Sequence, residues 1–270
     1  MVRLPLDLKT RGALYVTDTV LDSAAEAASR AFGVRHGVVG TIDPHDWIFW
    51  FIYNHPGIAN KTDAFDLYFS GGADCAGKLR TLIAEQRPIE GLRLLEFAAG
   101  YGRVTRHLGK TLPGAEILAC DIHSEAVDFL QDTIKVSAKG SHEVPELFNL
   151  NQRFDVVFAL SFFSHLPPST WRRWLLALTE HAAPGGLVIF TTHGERSREK
   201  LGNPAIDRDG FWFKPISEQR DLPGNEYGSS ITLPNYVLGQ VLNMAHMQLV
   251  RFQEGFWWEH QDVYVLRRNR

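Results

Sequence analysis

One short segment of this sequence combines a carboxylate with two glycines, residue types that could bind a ligand together. An apolar run at 92–97 contains Glu96, and the small residues after it include Gly100 and Gly102. A helical pattern begins directly afterwards, so the small residues should lie between the carboxyl end of a strand and the amino terminus of a helix. Open α/β sheets bind their ligands at such a junction. The segment therefore predicts a ligand-binding loop.

The charges around this loop indicate which ligand it would accept. Glu96 stands just before the loop, where it would repel a pyrophosphate, and Arg103 occupies the position of the third glycine in a dinucleotide-binding fingerprint. A cationic cofactor suits the loop better. Asp121 ends the next apolar run, about 20 residues further on, which is the spacing of a carboxylate that binds ribose hydroxyls.

These residues resemble the first motif of the class I S-adenosylmethionine-dependent methyltransferases, E/D-x-G-x-G-x-G. Glu96, Gly100 and Gly102 match the motif, and Ala98 stands at its first glycine, where it adds one methyl group beneath the cofactor. The resemblance covers roughly residues 91–267. It implies S-adenosyl-L-methionine as the cofactor and a closing antiparallel strand pair in the sheet.

The resemblance also implies roles for individual residues. Glu96 would bind the methionine amino group, Asp121 would hold the ribose hydroxyls, and Ile122 would pack on the adenine. The backbone from Ala98 to Gly102 would pass under the cofactor, and Ser161 would emerge beside it from the fourth strand. The predicted cofactor-binding residues are Glu96, Ala98, Gly100, Tyr101, Gly102, Asp121, Ile122 and Ser161.

Two histidines are the candidate catalytic residues. His165 follows the fourth predicted strand and His193 the fifth, so both should lie at the rim of the sheet that binds the cofactor. A histidine can take the proton of a sugar hydroxyl, whereas a carboxylate or thiolate acceptor would need no base. Packing or helix capping is the competing role for His165. His260, at the start of the last strand, is a weaker candidate.

The residues after the fourth strand bear on the acceptor and on metals. Methyltransferases that act on amino groups of bases or glutamine typically carry an Asn/Asp-Pro-Pro-aromatic sequence there, and catechol-type enzymes a metal-binding aspartate. This chain has Ser161-Phe162-Phe163-Ser164 instead. Because hard divalent ions need clustered oxygen ligands, we predict no catalytic metal.

A narrower resemblance links the chain to bacterial methyltransferase-domain proteins of uncertain substrate, some of them associated with cell-surface glycan systems. It rests on residues 66–72, 191–194, 227–228 and 260–263. We expect metal-independent methylation of a small molecule or glycan, at oxygen. The alternatives are a nicotinamide-dependent oxidoreductase, which Glu96 disfavours, and a non-catalytic S-adenosylmethionine-binding interaction module.

Alternating strand and helix signals from residue 91 onward predict the fold class. We expect an α/β, Rossmann-like, doubly wound sheet of seven strands, mostly parallel, with an antiparallel pair at its end. Residues 1–88 should form an N-terminal helical cap, and residues 89–270 the methyltransferase domain. Residues 194–230, rich in glycine, proline and charge, should form a lid or acceptor-binding excursion.

The glycines and prolines predict where individual elements end. In the cap, helices are expected at 18–32, 43–53, 62–69 and 72–86. Asp18 would cap the first of these helices and Gly33 would end it, while Ser70-Gly71-Gly72 would separate the last two. The third strand of the sheet is expected at 134–137.

Composition excludes several partners. The 270 residues include 28 basic and 31 acidic side chains, for a net charge of −3, and the basic run is confined to residues 267–270. We therefore predict no nucleic-acid partner. No segment reaches the roughly 20 apolar residues of a membrane span, and Cys75 and Cys120 fit no metal pattern. A cytoplasmic protein is expected, and its oligomeric state is left open.

Overall fold

The structure, a computed structural model, describes residues 19–217, 219 and 222–269. These residues divide into two compact units, which consist of residues 19–91 with 99–140 and residues 92–98 with 141–269. Asp18, the predicted cap of the first helix, lies outside the described residues. The predicted division between a cap at 1–88 and a domain at 89–270 stays a prediction.

The helices and strands alternate along most of the chain. The helices are α1 Ser23–His36, α2 Trp47–Tyr53, α3 Lys61–Ala84, α4 Thr105–Thr111, α5 Ser124–Phe129, α6 Pro168–Glu180, α7 Glu195–Lys200 and α8 Pro234–Leu242. The strands are β1 Arg93–Phe97, β2 Glu116–Asp121, β3 Ser137–Gly140, β4 Phe154–Ala159, β5 Ala182–His193, β6 Phe211–Lys214, β7 Ser229–Thr232, β8 Met247–Trp257 and β9 Gln261–Arg268.

Seven of these strands form one sheet, in the order β3-β2-β1-β4-β5-β9-β8. The pairs β2–β3, β1–β4 and β4–β5 are parallel, and β9 pairs antiparallel with both β5 and β8. The strand order reverses between β1 and β4, which is the switch point where open α/β sheets bind ligands. The predicted fold class is therefore confirmed.

The apolar helix α2 is covered by other helical residues of its own unit. Asp46 caps it by accepting from the Phe49 backbone N–H at 3.0 Å, so the helix begins later than the predicted Asp43. Phe49 and Trp50 are buried in a cluster that also contains Phe65 of α3. Burial of these aromatic rings is what holds so short a helix in place.

The predicted ends of α1 are wrong. Asp22 caps the helix by accepting from the Ala25 N–H at 2.8 Å, and Gly37, at φ 63°, ends it. Gly33 lies inside the helix, where an added Cβ would stand 2.5 Å from the Cα of Gly40. Gly33 therefore serves a close backbone contact and is no helix stop.

The predicted break in α3 is also wrong, because the helix runs without interruption through Ser70-Gly71-Gly72. An added Cβ at Gly72 would lie 2.1 Å from the carbonyl oxygen of Arg103, and one at Gly71 would lie 2.3 Å from an Arg103 guanidinium nitrogen. The two glycines let the segment after the ligand-binding loop pack directly on the helix. Glycine is favoured both where a chain turns and where two segments come close together, so its presence in the sequence does not distinguish a helix break from a packing contact.

The third strand begins later than predicted. Helix α5 continues into a π-helical turn, Leu130–Ile134, and β3 starts at Ser137. The side chains of Leu130 and Ile134, the two ends of this turn, pack over Gly102, at 3.0 and 3.3 Å from an added Cβ.

The segment 194–230 contains regular structure. It includes α7 and the strands β6 and β7, which pair antiparallel. Phe211, the first residue of β6, is buried. The role of this segment as a lid or acceptor-binding excursion stays a prediction. Among the described residues, none of the helices has both the length and the apolar character that a membrane crossing requires.

Candidate active site

The predicted ligand-binding loop begins at Ala98, the residue that replaces the first glycine of the motif. Ala98 adopts φ 57°, Gly100 φ 54° and Gly102 φ 75°, so all three backbones are left-handed. Alanine in this conformation costs about 1 kcal/mol, which the surrounding structure must offset. The loop thus keeps the backbone conformation that glycine favours at each motif position. An added Cβ at Gly100 would meet nothing within 4 Å, which leaves open space beside the loop.

Asp121, at the end of β2, fixes this loop. Its Oδ2 accepts from the Gly100 N–H at 2.7 Å, and its Oδ1 accepts from the backbone N–H of His123 at 3.1 Å. The Nδ1 of His123 lies 2.8 Å from the same Oδ1. Each carboxylate oxygen has more than one lone pair, so the oxygens that hold the loop can also accept from ribose hydroxyls. Sequence reasoning missed His123, although it stands two residues after Asp121.

Two neighbours of the loop have side chains suited to an apolar ligand surface. Ile122 is 37% exposed, an apolar side chain left partly uncovered. The ring of Tyr101 packs against that of Phe129, with 5.8 Å between the centroids. Burial, reinforced by carboxylates including Asp43 and Glu125, raises the pKa of the Tyr101 phenol, which therefore stays neutral.

Glu96 lies near the end of β1, in the second unit. It is 4% exposed, and it stands opposite Phe158 in the parallel pairing of β1 with β4. A carboxylate in such a poorly solvated position interacts more strongly with a cation than a surface carboxylate does. The structure thus places a negative charge directly before the loop in the chain.

Ser161, in the same unit, belongs to a buried ring of hydrogen bonds. Its N–H donates to Thr191 Oγ1 at 2.8 Å, the Thr191 hydroxyl donates to Gln261 Oε1 at 2.7 Å, and Gln261 Nε2 donates to Ser161 Oγ at 2.8 Å. The Ser164 hydroxyl donates to the Ser161 carbonyl at 2.9 Å. The ring holds Ser161 at φ 58°, a conformation that serine seldom adopts. The sequence analysis included Thr191 and Gln261 in the narrower resemblance but gave neither a role in the site.

His193 is buried beside this ring, 1% exposed. Its Nε2 lies 3.5 Å from Gln261 Nε2, which is a donor in the hydrogen-bond ring. This long contact can be a hydrogen bond only if His193 Nε2 carries its lone pair, because the Gln261 amide nitrogen is a donor.

His165 is also buried, and its orientation is fixed on two sides. Its Nδ1 donates to the Gly228 carbonyl oxygen at 2.8 Å, and its ring stacks on Tyr227 with 4.6 Å between the centroids. Because a carbonyl only accepts, Nδ1 carries the proton of the neutral ring and Nε2 carries the lone pair. The side chain does not cap α6, whose N-cap residue is Pro167. The ring centroids of His165 and His193 are 6.2 Å apart.

His260 and Asp262, also in this unit, make hydrogen bonds that connect parts of the fold. The Ser197 hydroxyl donates to the His260 carbonyl at 2.7 Å and lies 3.0 Å from His260 Nδ1, which ties α7 to the start of β9. Asp262 is fully buried, and burial raises its pKa to about 6. Its Oδ1 accepts from the Gly255 N–H at 2.8 Å, and Gly194 packs closely on its Oδ2. The sequence analysis included Asp262 in the narrower resemblance but gave it no role.

Within the described residues, no group of three or more His, Cys, Asp or Glu side chains is arranged to hold a metal ion. The prediction of a metal-independent reaction is not tested by this observation. The roles assigned to Glu96, Asp121, Ile122 and Ser161 toward the cofactor likewise stay predictions.

Comparison with known proteins shows what this region of the chain is similar to. Residues 95–188 match the family described as "Methyltransferase domain". This region is therefore similar to a methyltransferase domain. A malonyl-(acyl-carrier protein) O-methyltransferase of Bacillus cytotoxicus is 28% identical to the chain over 118 residues, 41% of this chain and 38% of that relative. The chain thus spans about two fifths of the length of the curated relatives it matches.

Solved structures of methyltransferases resemble this chain in fold. The glycopeptide N-methyltransferase MtfA, complexed with S-adenosyl-L-methionine, matches with a TM-score of 0.52 and 14% identity over 71% of this chain and 92% of its own. The amino pentose methyltransferase CalS10 of Micromonospora echinaspora, also bound to S-adenosylmethionine, matches with a TM-score of 0.53 and 15% identity over 76% of this chain and 96% of its own. The predicted resemblance to S-adenosylmethionine-dependent methyltransferases is confirmed, and the predicted cofactor agrees with the ligands of these structures.

Proposed function

We propose that this protein is an enzyme that transfers a methyl group from S-adenosyl-L-methionine to a hydroxyl group of a small molecule or glycan, without a metal ion. The methyltransferase domain supports the reaction class, and a curated relative is named as an O-methyltransferase. The observation that carries the choice of a hydroxyl is the tautomer of the neutral His165 ring. Its Nδ1 carries the proton and donates it to the Gly228 carbonyl oxygen. Nε2 of His165 is therefore the nitrogen that carries the lone pair and can take up the proton of a hydroxyl group.

The residues of the loop suit the proposed cofactor. Asp121 would accept from the ribose hydroxyls, Ile122 would pack on the adenine, and the open side of Gly100 gives the ligand room next to the backbone. The buried carboxylate of Glu96 would attract the methionine amino group. The cofactor supplies a methyl group already activated on a sulfonium, so the protein has mainly to position the acceptor oxygen in line with it and to exclude water.

His165 is the residue we assign as general base. The acceptor oxygen would form its bond to the methyl carbon as the carbon–sulfur bond breaks with its electron pair going to sulfur, and Nε2 of His165 would take the hydroxyl proton. The proton on Nδ1 then stays in its hydrogen bond with Gly228, so the resulting imidazolium keeps an acceptor. Stacking on Tyr227 holds the ring in one orientation.

His193 is less suited to this role than the sequence alone indicates. Its Nε2 lies 3.5 Å from Gln261 Nε2, so a proton taken up there would face the donor that also holds Ser161. We assign His193 to the packing of the site and His165 to proton transfer. The two histidines, which sequence patterns could not separate, thus have different expected roles.

The test of this function is a transfer assay with S-adenosylmethionine labelled in its methyl group. The protein is incubated with fractions of a bacterial lysate, and the labelled product is identified by mass spectrometry. A product methylated at a hydroxyl oxygen supports the proposal. Methylation only at nitrogen would contradict the choice of acceptor atom, and binding of the cofactor without any labelled product would favour a non-catalytic binding module.

A nicotinamide-dependent oxidoreductase remains the enzymatic alternative, and the same protein preparation tests it. Melting temperatures are compared with S-adenosylmethionine, with its demethylated product and with the oxidised and reduced nicotinamide dinucleotides. A ligand that binds only the folded protein raises its melting temperature. Stabilisation by a nicotinamide dinucleotide and none by S-adenosylmethionine would overturn the proposed function.

A further inference from the structure

Arg106, in α4, makes an unusually complete set of hydrogen bonds for a buried arginine, since it is only 7% exposed. Nε donates to the Gly102 carbonyl at 2.9 Å, and Nη2 donates to the Tyr101 carbonyl at 3.0 Å. Both carbonyls belong to the ligand-binding loop. The guanidinium therefore holds the loop from the side of the helix that follows it.

The other donors of Arg106 reach the connection between α1 and α2 and a side chain of α3. Nη1 donates to the carbonyl oxygens of Val39 and Thr41 at 2.9 and 3.1 Å. Nη2 also donates to the hydroxyl of Tyr68, in α3, at 3.3 Å. A guanidinium has five N–H groups, so every one of them has an acceptor here. Three separate segments of the chain meet at one side chain.

The buried carboxylate of Asp46 orients the Tyr68 hydroxyl that accepts from Arg106. The Tyr68 hydroxyl donates to Asp46 Oδ2, and Asp46 Oδ1 caps α2. Asp46 is 3% exposed, and burial raises its pKa while the hydrogen bonds from Tyr68 and Phe49 and the charge of Arg106 act against that rise. The guanidinium also lies 5.3 Å from the centre of the Tyr68 ring, within the range of a cation–π contact.

We propose that Arg106 is a positioning residue for cofactor binding, and that Val39 and Thr41, between α1 and α2, and Tyr68, in α3, serve the cofactor site through it. The proposal rests on the proposed function, since it concerns the affinity for S-adenosylmethionine. Its physical basis is preorganisation: a loop whose carbonyls are already held loses less conformational freedom when the ligand binds. Arginine is required because lysine has three donors on a single atom and cannot reach acceptors in three directions.

The motif at 96–102 gives no indication of this role. Sequence patterns place Arg106 on a helix, where a charged side chain is expected to face solvent. The Gly102 carbonyl, four residues earlier, is one acceptor that helical geometry predicts, but the Val39 and Thr41 carbonyls are 67 and 65 residues away.

The experiment compares Arg106→Lys with a matched control, Arg268→Lys. Arg268 donates to the backbone carbonyls of Thr179, Glu180 and Ala182 at 2.9 to 3.3 Å, so it also ties several carbonyls together, but in the other unit. Calorimetry gives the dissociation constant for S-adenosylmethionine, and thermal unfolding gives the stability of each variant. A second variant, Tyr68→Phe, removes only the hydroxyl between Asp46 and Arg106.

We expect Arg106→Lys to weaken cofactor binding about tenfold or more, the effect of losing about one hydrogen bond from a charged group. Tyr68→Phe should weaken it by a smaller factor, and Arg268→Lys should leave it within about twofold. Amide hydrogen exchange in the ligand-free protein should become faster at 99–102 in Arg106→Lys only. This readout separates loss of loop order from general destabilisation.

Equal cofactor affinity in Arg106→Lys and wild type, or equal loss in Arg106→Lys and Arg268→Lys, would overturn the inference. If Arg106→Lys does not fold, Tyr68→Phe decides, and a folded Tyr68→Phe with unchanged affinity overturns it. Failure of the wild-type protein to bind S-adenosylmethionine is a different outcome. It would show that the proposed function is wrong, and the inference would fall with it.

Discussion

The Nδ1–H of His165 donates to the carbonyl oxygen of Gly228 at 2.8 Å, and the Gly228 N–H donates back to the carbonyl oxygen of His165 at the same distance. Both the side chain and the backbone of His165 are therefore held by one glycine. The reciprocal pair leaves Nε2 as the basic nitrogen of a ring that cannot rotate freely. This pair of hydrogen bonds distinguishes His165 from His193, the other candidate base.

Replacing His165 with glutamine should abolish proton transfer to this side chain while keeping a polar group of similar size. We expect turnover to fall by about 10² to 10⁴, the usual effect of losing a positioned base, with little change in the cofactor dissociation constant. The matched variant is His193→Gln, which should retain most of the turnover. Labelled-methyl assays with the identified acceptor measure both. A reversal of the two effects would move the base to His193.

Asp121 should contribute to cofactor affinity directly and through the loop. Asp121→Ala removes the acceptor of the Gly100 N–H as well as the proposed ribose contact, so binding should weaken by about 1.5–3 kcal/mol. Asp155→Ala is a suitable control because Asp155 also accepts from a backbone N–H, that of Arg93 at 2.9 Å, in the other unit. Calorimetry with S-adenosylmethionine decides, and unchanged affinity in Asp121→Ala would remove this residue from the site.

The close contact at Gly72 should make alanine costly at that position. Gly72→Ala would place a Cβ 2.1 Å from the Arg103 carbonyl oxygen, and the shift needed to relieve it should lower the free energy of unfolding by about 1–3 kcal/mol. Gly77→Ala in the same helix meets nothing within 4 Å, so it should raise stability by about 0.5–1 kcal/mol. Denaturant unfolding of the two variants should thus give opposite signs. Equal effects would mean that the glycine pair has no packing role.

Asp262 should make stability depend on pH between about 4 and 6. Burial raises its pKa from 3.8 to about 6, so the folded protein retains a proton that the unfolded chain loses. The contribution of this group is fully present below pH 3.8 and is lost as the pH rises through 6, by about 3 kcal/mol in total.

Asp262→Asn tests this linkage, because asparagine keeps an acceptor for the Gly255 N–H and carries no charge at any pH. The free energy of unfolding of the variant, relative to wild type, should rise by about 3 kcal/mol between pH 3.5 and pH 7.5. Urea unfolding at several pH values measures it. A difference that does not change with pH would mean that Asp262 titrates normally in the folded protein.

The sequence by itself determined the fold class and the position of the small-residue loop in the chain. The strand, the small-residue loop, the helix start and Asp121 are local features, set by apolar runs and by spacings that a single chain displays without its partners. The same local logic placed His165 and His193 at the carboxyl ends of two strands. Local reasoning wrongly predicted a helix end at Gly33 and a helix break at Gly71 and Gly72. Glycine occurs both in turns and at close contacts, and only the position of the neighbouring backbone distinguishes the two.

Only the tertiary structure decided which groups hold the site. The acceptor that fixes the His165 proton is 63 residues away, Gln261 joins Ser161 across 100 residues, and the acceptors of Arg106 come from three segments. A hydrogen bond depends on direction and on distances of about 3 Å, and neither follows from residue type or from spacing along the chain. For this reason the sequence predicted two candidate bases, and the hydrogen bonds of the folded chain favour one of them.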